Sequence, residues 1–131
     1  MTREELQDWL DRYVEAWHSY EPEQIGALFS EDAVCRYHPY DEPIRGRDAV
    51  IRSWTGEGEG APDRDEPGTW EAQYEPFAID GANAVATGHT SYRHEPAGDF
   101  YRTYHNCFVM RFDDDGRCSE FTEWFMFRKD A

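Results

Sequence analysis

Basic residues are scarce in this chain: Lys and Arg total 13 against 28 Asp and Glu, a formal charge of −15. Nucleic acids and anionic membranes are polyanions and would repel such a surface, so neither is expected as a partner. The acid excess serves solubility, or adaptation to high salt. Cysteine is equally sparse. Cys35, Cys107 and Cys118 include no CxxC pair, and an odd number makes no disulfide framework. Cys35 and Cys107 fall in strand-like runs and read as buried thiols. No apolar run approaches the ~20 residues that span a bilayer. The N-terminus, MTREELQDWL, is acidic and amphipathic, unlike a signal peptide. These features together predict a cytoplasmic protein.

Several chemistries lack their motifs. HExxH, HxH and a Cys/His quartet are missing, and His89 and His94 are spaced to fall on opposite faces of a strand, so no metal is expected. The glycines of GEGEG alternate with carboxylates that would repel a phosphate, and GxSxG does not occur. No cofactor is expected.

Aromatic residues are plentiful, at 16% of 131 residues. One domain of this length, 1–131, can build a core without staples. The aromatic surplus predicts either a lined cavity or a sizeable interface. Thr2 and Glu5 form a capping-box pattern. Leu6, Trp9, Leu10, Tyr13, Val14 and Trp17 then recur at helical spacing to about Ser19. Pro22 opens a short second helix anchored by Ile25, Leu28 and Phe29. A Ser30-Glu31-Asp32 turn and an extended run from Ala33 to Tyr37 follow, and a third helix begins near Arg47 and carries Trp54. Residues 56–68 read as a surface loop or a flap over a pocket mouth. Extended runs are expected at about 70–79, 83–94, 100–112 and 118–128, separated by turns at Asp80-Gly81, Pro96-Ala97-Gly98 and Asp113 to Gly116. Helices first and antiparallel strands afterwards make an α+β pattern.

The order from Tyr13 to Val50, with FSEDAVCRYHPYDEPIRGRDAV at its end, and the last hairpin from Val109 to Phe125 resemble the nuclear transport factor 2-like superfamily in its SnoaL-like branch. That family also includes ketosteroid isomerases. The resemblance implies a cone-shaped, cystatin-like fold with three N-terminal helices on a curved, mostly antiparallel sheet. It also implies homodimers, here through an outer face carrying Val109, Trp124 and Met126. The isomerases' oxyanion-binding tyrosine falls on Tyr13. Their base aspartate falls on Tyr37 and their neutral acid on Phe108. A phenol with a pKa of about 10 is a poor base and Phe donates nothing, so their reaction is not expected.

If 113–116 form the loop, Asn106 sits opposite Glu123 and Phe108 opposite Phe121 on one face. Carry-over from the family points Thr87, His89 and Ser91 inward, along with Cys35 and Tyr37. The expected catalytic set is His89 paired with Glu123, assisted by Tyr13 and Tyr37. Trp17, Cys35, His38, Asn106, Phe108, Phe121 and Phe125 are the expected substrate contacts. His38 follows the first strand directly, with Asp41 or Glu42 able to raise its pKa. Alternatively His89, Asn106 and Glu123 only satisfy one another's hydrogen bonds. The residue types resemble those of scytalone dehydratases from the same superfamily. The expected function is a cofactor-independent lyase, isomerase or hydrolase on a small apolar or aromatic molecule. The alternative is a non-catalytic binding or dimeric interaction domain.

Overall fold

A computed structural model describes residues 1–57 and 64–128. Three helices, α1 (Arg3–Ser19), α2 (Pro22–Gly26) and α3 (Arg47–Thr55), pack on a six-stranded sheet. Its strands are β1 (Phe29–Arg36), β2 (Ile44–Arg45), β3 (Trp70–Asp80), β4 (Asn83–Arg93), β5 (Phe100–Phe112) and β6 (Cys118–Phe127). They run in the order β2-β1-β6-β5-β4-β3, antiparallel except for the β1–β6 pair. The expected α+β architecture is present.

α1 starts as its sequence dictates. The Glu5 amide donates to Thr2 Oγ1 at 3.1 Å and the Thr2 amide to Glu5 Oε1 at 3.0 Å, which satisfies two of the free donors of the first turn. Its apolar stripe buries Leu6, Trp9, Leu10, Tyr13 and Ala16 against the concave face of the sheet. Buried Trp9 meets Phe29, Phe112, Phe121 and Tyr13 and donates its indole N–H to the Leu28 carbonyl at 3.0 Å. Both the ring and its one polar atom are thereby accounted for.

The sheet bends because its ladders are interrupted. Registers shift between Phe29 and Val34, Pro76 and Ala78, Tyr92 and Arg93, and Arg111 and Phe112. A bulge inserts an unpaired residue and increases local twist and bend. The first shift absorbs the expected Ser30-Glu31-Asp32 turn, which belongs to β1. At the second, β3 is an edge strand, where Pro76 forfeits no ladder bond that the sheet needs.

Two registers differ from expectation, with opposite consequences. In the last hairpin Phe108 faces Glu123 and Asn106 faces Phe125, a slip of two residues. One comes from Arg117 joining the loop, so that Phe112 pairs with Cys118, and one from the bulge that follows. Two is the side-chain period of a strand, so every inward residue stays inward. In β4 the error is one residue. The bulge at Phe77 sets Tyr74 opposite Gly88, whereas an unbroken ladder from the Asp80–Asn83 pair would have set it opposite His89. The inner face of β4 therefore carries Ala84, Ala86, Gly88, Thr90 and Tyr92, while Thr87, His89 and Ser91 face out.

Gly88 is required where it stands. A Cβ there would lie 2.1 Å from the Gln73 carbonyl oxygen and 2.6 Å from Cδ1 of the Tyr74 ring. Gly88→Ala is expected to lower unfolding free energy by about 2–3 kcal/mol, since the nearest obstacle is backbone. Denaturant unfolding monitored by tryptophan fluorescence measures it; an unchanged midpoint would contradict the close packing.

Candidate functional site

The closed end of the sheet is filled and the opposite end is open. Cys35, Phe108 and Phe121 are each 1% exposed and belong to the hydrophobic core. They were expected to contact substrate, but the rings of Tyr13, Trp9 and Phe29 pack around them and close that end. Burial also pushes the Cys35 thiol up to about 12, which removes it as a nucleophile near neutral pH. The three cysteines are free.

Above this plug lies a cavity of about 460 Å³. Of the expected residues, Tyr13, Trp17, Tyr37, His38, Asn106, Glu123 and Phe125 line it. His89 does not. It is exposed on the outer face, paired with His105 and Gln73, so the expected His89–Glu123 pair does not form. The sequence reading missed Thr90 and Tyr92 because of the one-residue β4 shift, missed Tyr74 because it assigned no faces to β3, and missed Tyr20, Ser53, Trp54, Asp65, Tyr101 and Tyr104 because they arrive from helix ends, loops and the start of β5.

Glu123 is the chemical centre of the wall. Asn106 Nδ2 donates to its Oε2 at 2.6 Å across the diagonal of the β5–β6 ladder. Asn106 Oδ1 accepts from Thr90 Oγ1 at 3.1 Å, and Thr90 Oγ1 lies 2.6 Å from the Tyr74 hydroxyl. A carbonyl oxygen only accepts, so the Thr90 hydrogen is committed to Asn106 and Tyr74 must donate to Thr90. The chain Tyr74–Thr90–Asn106–Glu123 thus has one direction and fixes Oε2, leaving Oε1 with no hydrogen-bond partner among the described residues.

Burial pushes the Glu123 carboxyl up to about 7, while the Asn106 hydrogen bond and the charge of His38 pull the other way. His38 is held by Asp41, whose Oδ2 lies 2.8 Å from Nδ1, and its ring packs beside Phe125. The two cavity tyrosines near Glu123 differ in the hydrogen each has to offer. Ser53 Oγ donates to the Val50 carbonyl at 2.6 Å, so the Tyr37 hydroxyl, 2.7 Å away, spends its hydrogen on Ser53. The Tyr13 hydroxyl has no hydrogen-bond partner among the described residues. Burial first, and then the Glu123 charge, hold its pKa well above the ordinary phenol value. Tyr13 is therefore a neutral O–H donor beside a carboxyl that titrates near neutrality.

At the mouth, Trp17 Nε1 donates to Asp65 Oδ2 at 3.0 Å, and the Asp65 amide donates to the Tyr20 hydroxyl at 2.9 Å. Tyr20 adopts φ 53°, the one non-glycine positive φ among the described residues, as the cap of α1. A left-handed tyrosine costs roughly 1 kcal/mol. That backbone turn places its hydroxyl against Asp65. Residues 58–63 of the expected 56–68 flap lie outside the described residues. Among the described residues no group of three or more His, Cys, Asp and Glu could hold a metal, and no helix is long and apolar enough to cross a membrane.

Residues 10–121 match the SnoaL-like domain family. The chain belongs to that family. No curated protein matches it. Among solved structures, it is similar to a nuclear transport factor 2-like protein of unknown function from Burkholderia xenovorans. That match has TM-score 0.69 and 19% identity and covers 98% of this chain and 88% of that one. A proposed ketosteroid isomerase from Kribbella flavida gives TM-score 0.67 and 18% identity over 98% and 83% of the two chains. A similar protein of unknown function from Mesorhizobium loti gives 0.63 and 20% over 95% and 93%. At these identities the likeness establishes the fold, and this SnoaL-like chain has its own wall of side chains.

The raised Glu123 pKa has a stability consequence of definite sign. Between the ordinary value of 4.5 and about 7 the folded state holds a proton that the unfolded state has lost, so stability falls as pH rises through that window. The full penalty, on the order of 3 kcal/mol, is present above pH 7 and absent below pH 4.5. Glu123→Gln keeps an acceptor for Asn106 and cannot ionise. Urea unfolding at pH 5 and pH 8 is expected to show the variant gaining stability over wild type at the higher pH. Equal differences at both pH values would count against a desolvated carboxyl.

Proposed function

We propose that this SnoaL-like protein is a cofactor-independent acid–base catalyst, an isomerase or lyase, acting on a small, largely apolar or aromatic molecule. The carrying observation is Glu123: one oxygen fixed by Asn106, the other free at the wall of an aromatic cavity, and a pKa close to neutrality. A group that is part carboxylate and part acid at pH 7 can take a proton and give it back in one turnover. Glu123 removes a proton from a carbon beside a carbonyl. The C–H electron pair moves into the C–C bond and the carbonyl π pair onto oxygen, where the Tyr13 hydroxyl donates to the enolate. The carboxyl then returns its proton to a different carbon, completing an isomerisation, or to a departing β-substituent, completing an elimination. Asn106, Thr90 and Tyr74 position the carboxyl. His38 favours its ionised form, and Trp17, Tyr37 and Phe125 bound the substrate. In this scheme the base comes from β6, since Tyr37 occupies the family isomerases' base position. It needs neither His89 nor a cofactor.

Proton abstraction can be followed without the natural substrate, by NMR of deuterium entering an enolisable aryl ketone such as 2-tetralone in D₂O. Wild type is expected to accelerate exchange with a rise in rate centred near pH 7. Glu123→Gln should lower the rate by roughly 10²–10⁴-fold and Tyr13→Phe by a smaller factor. His89→Ala should leave it unchanged. Full activity in Glu123→Gln, or its loss in His89→Ala, would sink the assignment.

A second reading, an interaction module, draws on the outer sheet face, where Val109 is 42%, Trp124 44% and Met126 78% exposed. Pairing with a second copy would cover this apolar surface, and the two readings are compatible. Sedimentation velocity is expected to give a dimer for wild type and a monomer for Trp124→Glu. A wild-type monomer at high micromolar concentration would remove the dimer from consideration. The free thiols suit a reducing cytoplasm.

A further inference from the structure

The cavity's charge is one-sided. Among the described residues that line it there is neither Lys nor Arg, but there are two carboxyl side chains, Asp65 at the mouth and Glu123 deeper, and His38. Ten of the sixteen lining residues are Tyr, Trp or Phe. An anionic ligand would thus enter a site that offers it two carboxyls and the negative faces of aromatic rings. The mouth is built in the opposite sense. Asp65 is partly buried, and its Oδ2 is occupied by the Trp17 indole N–H, which leaves Oδ1 with no hydrogen-bond partner among the described residues. Burial already raises the Asp65 pKa, the cost of a carboxylate without a full complement of partners. Rings surround it: Tyr20 shares its hydrogen bonds, and Tyr92, whose ring centre is 6.5 Å from that of Trp17, feels the Asp65 charge.

One of these rings already holds a cation. The Arg64 guanidinium lies 5.2 Å from the Tyr20 ring centre, but it is anchored outside the cavity lining by donating from Nε to the Thr55 carbonyl at 3.1 Å. The interior side of the mouth has the same chemistry with no cation among the described lining residues: a carboxylate oxygen with a spare lone pair and π faces. A desolvated carboxylate beside aromatic faces is a site for an N–H-bearing ammonium. The acidic surface of the whole chain would draw such an ion toward it.

We propose that the cavity takes a monocationic amine, its ammonium against Asp65 between Trp17, Tyr20 and Tyr92 and its apolar or aromatic body directed toward Glu123. This rests on the cavity being the binding site and names the charge of its ligand. It does not require Glu123 to be catalytic. Protonated amines selected in this way carry their own positive charge into a site whose deeper carboxyl, Glu123, faces the other end of the molecule.

Three near-isosteric probes test it: tryptamine, its alcohol analogue tryptophol, and indole-3-acetate. Their dissociation constants are measured by calorimetry at pH 7.5 and physiological salt. The ammonium probe is expected to bind at least tenfold more tightly than the alcohol, and the carboxylate at least tenfold more weakly than the alcohol. Asp65→Asn keeps an acceptor for Trp17 and should collapse the amine-to-alcohol ratio to near one without changing affinity for the alcohol. Tyr92→Leu should lower the ratio as well, an independent check should Asp65→Asn unfold. Equal binding of amine and alcohol by wild type, or an unchanged ratio in Asp65→Asn, would overturn the proposal. Deuterium exchange in Glu123→Gln reports on the acid–base reading alone. Loss of amine preference with exchange intact, or the reverse, therefore assigns failure to one or the other.

Discussion

The structure depends on an aromatic plug. Tyr13 stands at its boundary, packed by Trp9, Phe108 and Phe121 on the closed side and by Trp54 and Tyr74 on the cavity side. Rings of this size fill the space where α1 packs on the bent sheet, and Tyr13 and Tyr74 stand where that packing gives way to the cavity. What remains beyond them is open space with tyrosine walls. Had Phe108 been a polar residue, the interior would have held a second buried acid or amide. As phenylalanine it makes the end of the cavity apolar and leaves the next strand, with Glu123, to carry the one carboxyl among the described residues in that part of the wall.

Much of this was legible in the chain. The Thr2–Glu5 pair and the apolar spacing through Trp17 state α1 almost to the residue, because both are local signals whose meaning does not depend on distant partners. Asn106 and Glu123 were brought together correctly even though their register was misjudged by two, since an even slip leaves faces unchanged. His89 went wrong for the complementary reason. Its neighbours alternate weakly, with alanine, glycine and threonine on one face against valine, threonine and histidine on the other. Its inward placement rested on carry-over from the family, whereas its actual parity is set by the ladder to β3, and Pro76 is the visible sign that this ladder breaks.

Other parts were not readable in principle from strand alternation. Asp65 reaches the mouth from a loop, and Tyr20 reaches it through a left-handed backbone at a helix cap. No period in the sequence announces either. Nor does any spacing show that Tyr37 spends its hydrogen on Ser53 while Tyr13 keeps its own. That distinction needs the third atom, the Val50 carbonyl, which takes the Ser53 hydrogen. The chemical difference between two tyrosines of one wall is thus set by residues that touch no ligand.

The direction of the Tyr74–Thr90–Asn106 chain has a consequence for how the protein handles hydrogen. Each member gives its hydrogen toward Glu123, and the last link is an amide, which does not give up a proton at neutral pH. The chain is therefore a brace and an insulator, holding the carboxyl still without wiring it to the bulk. Glu123 has one door, the cavity itself. A hydrogen taken up by the carboxyl therefore meets solvent only by way of the cavity, around or after the bound molecule, and not through the strands behind it.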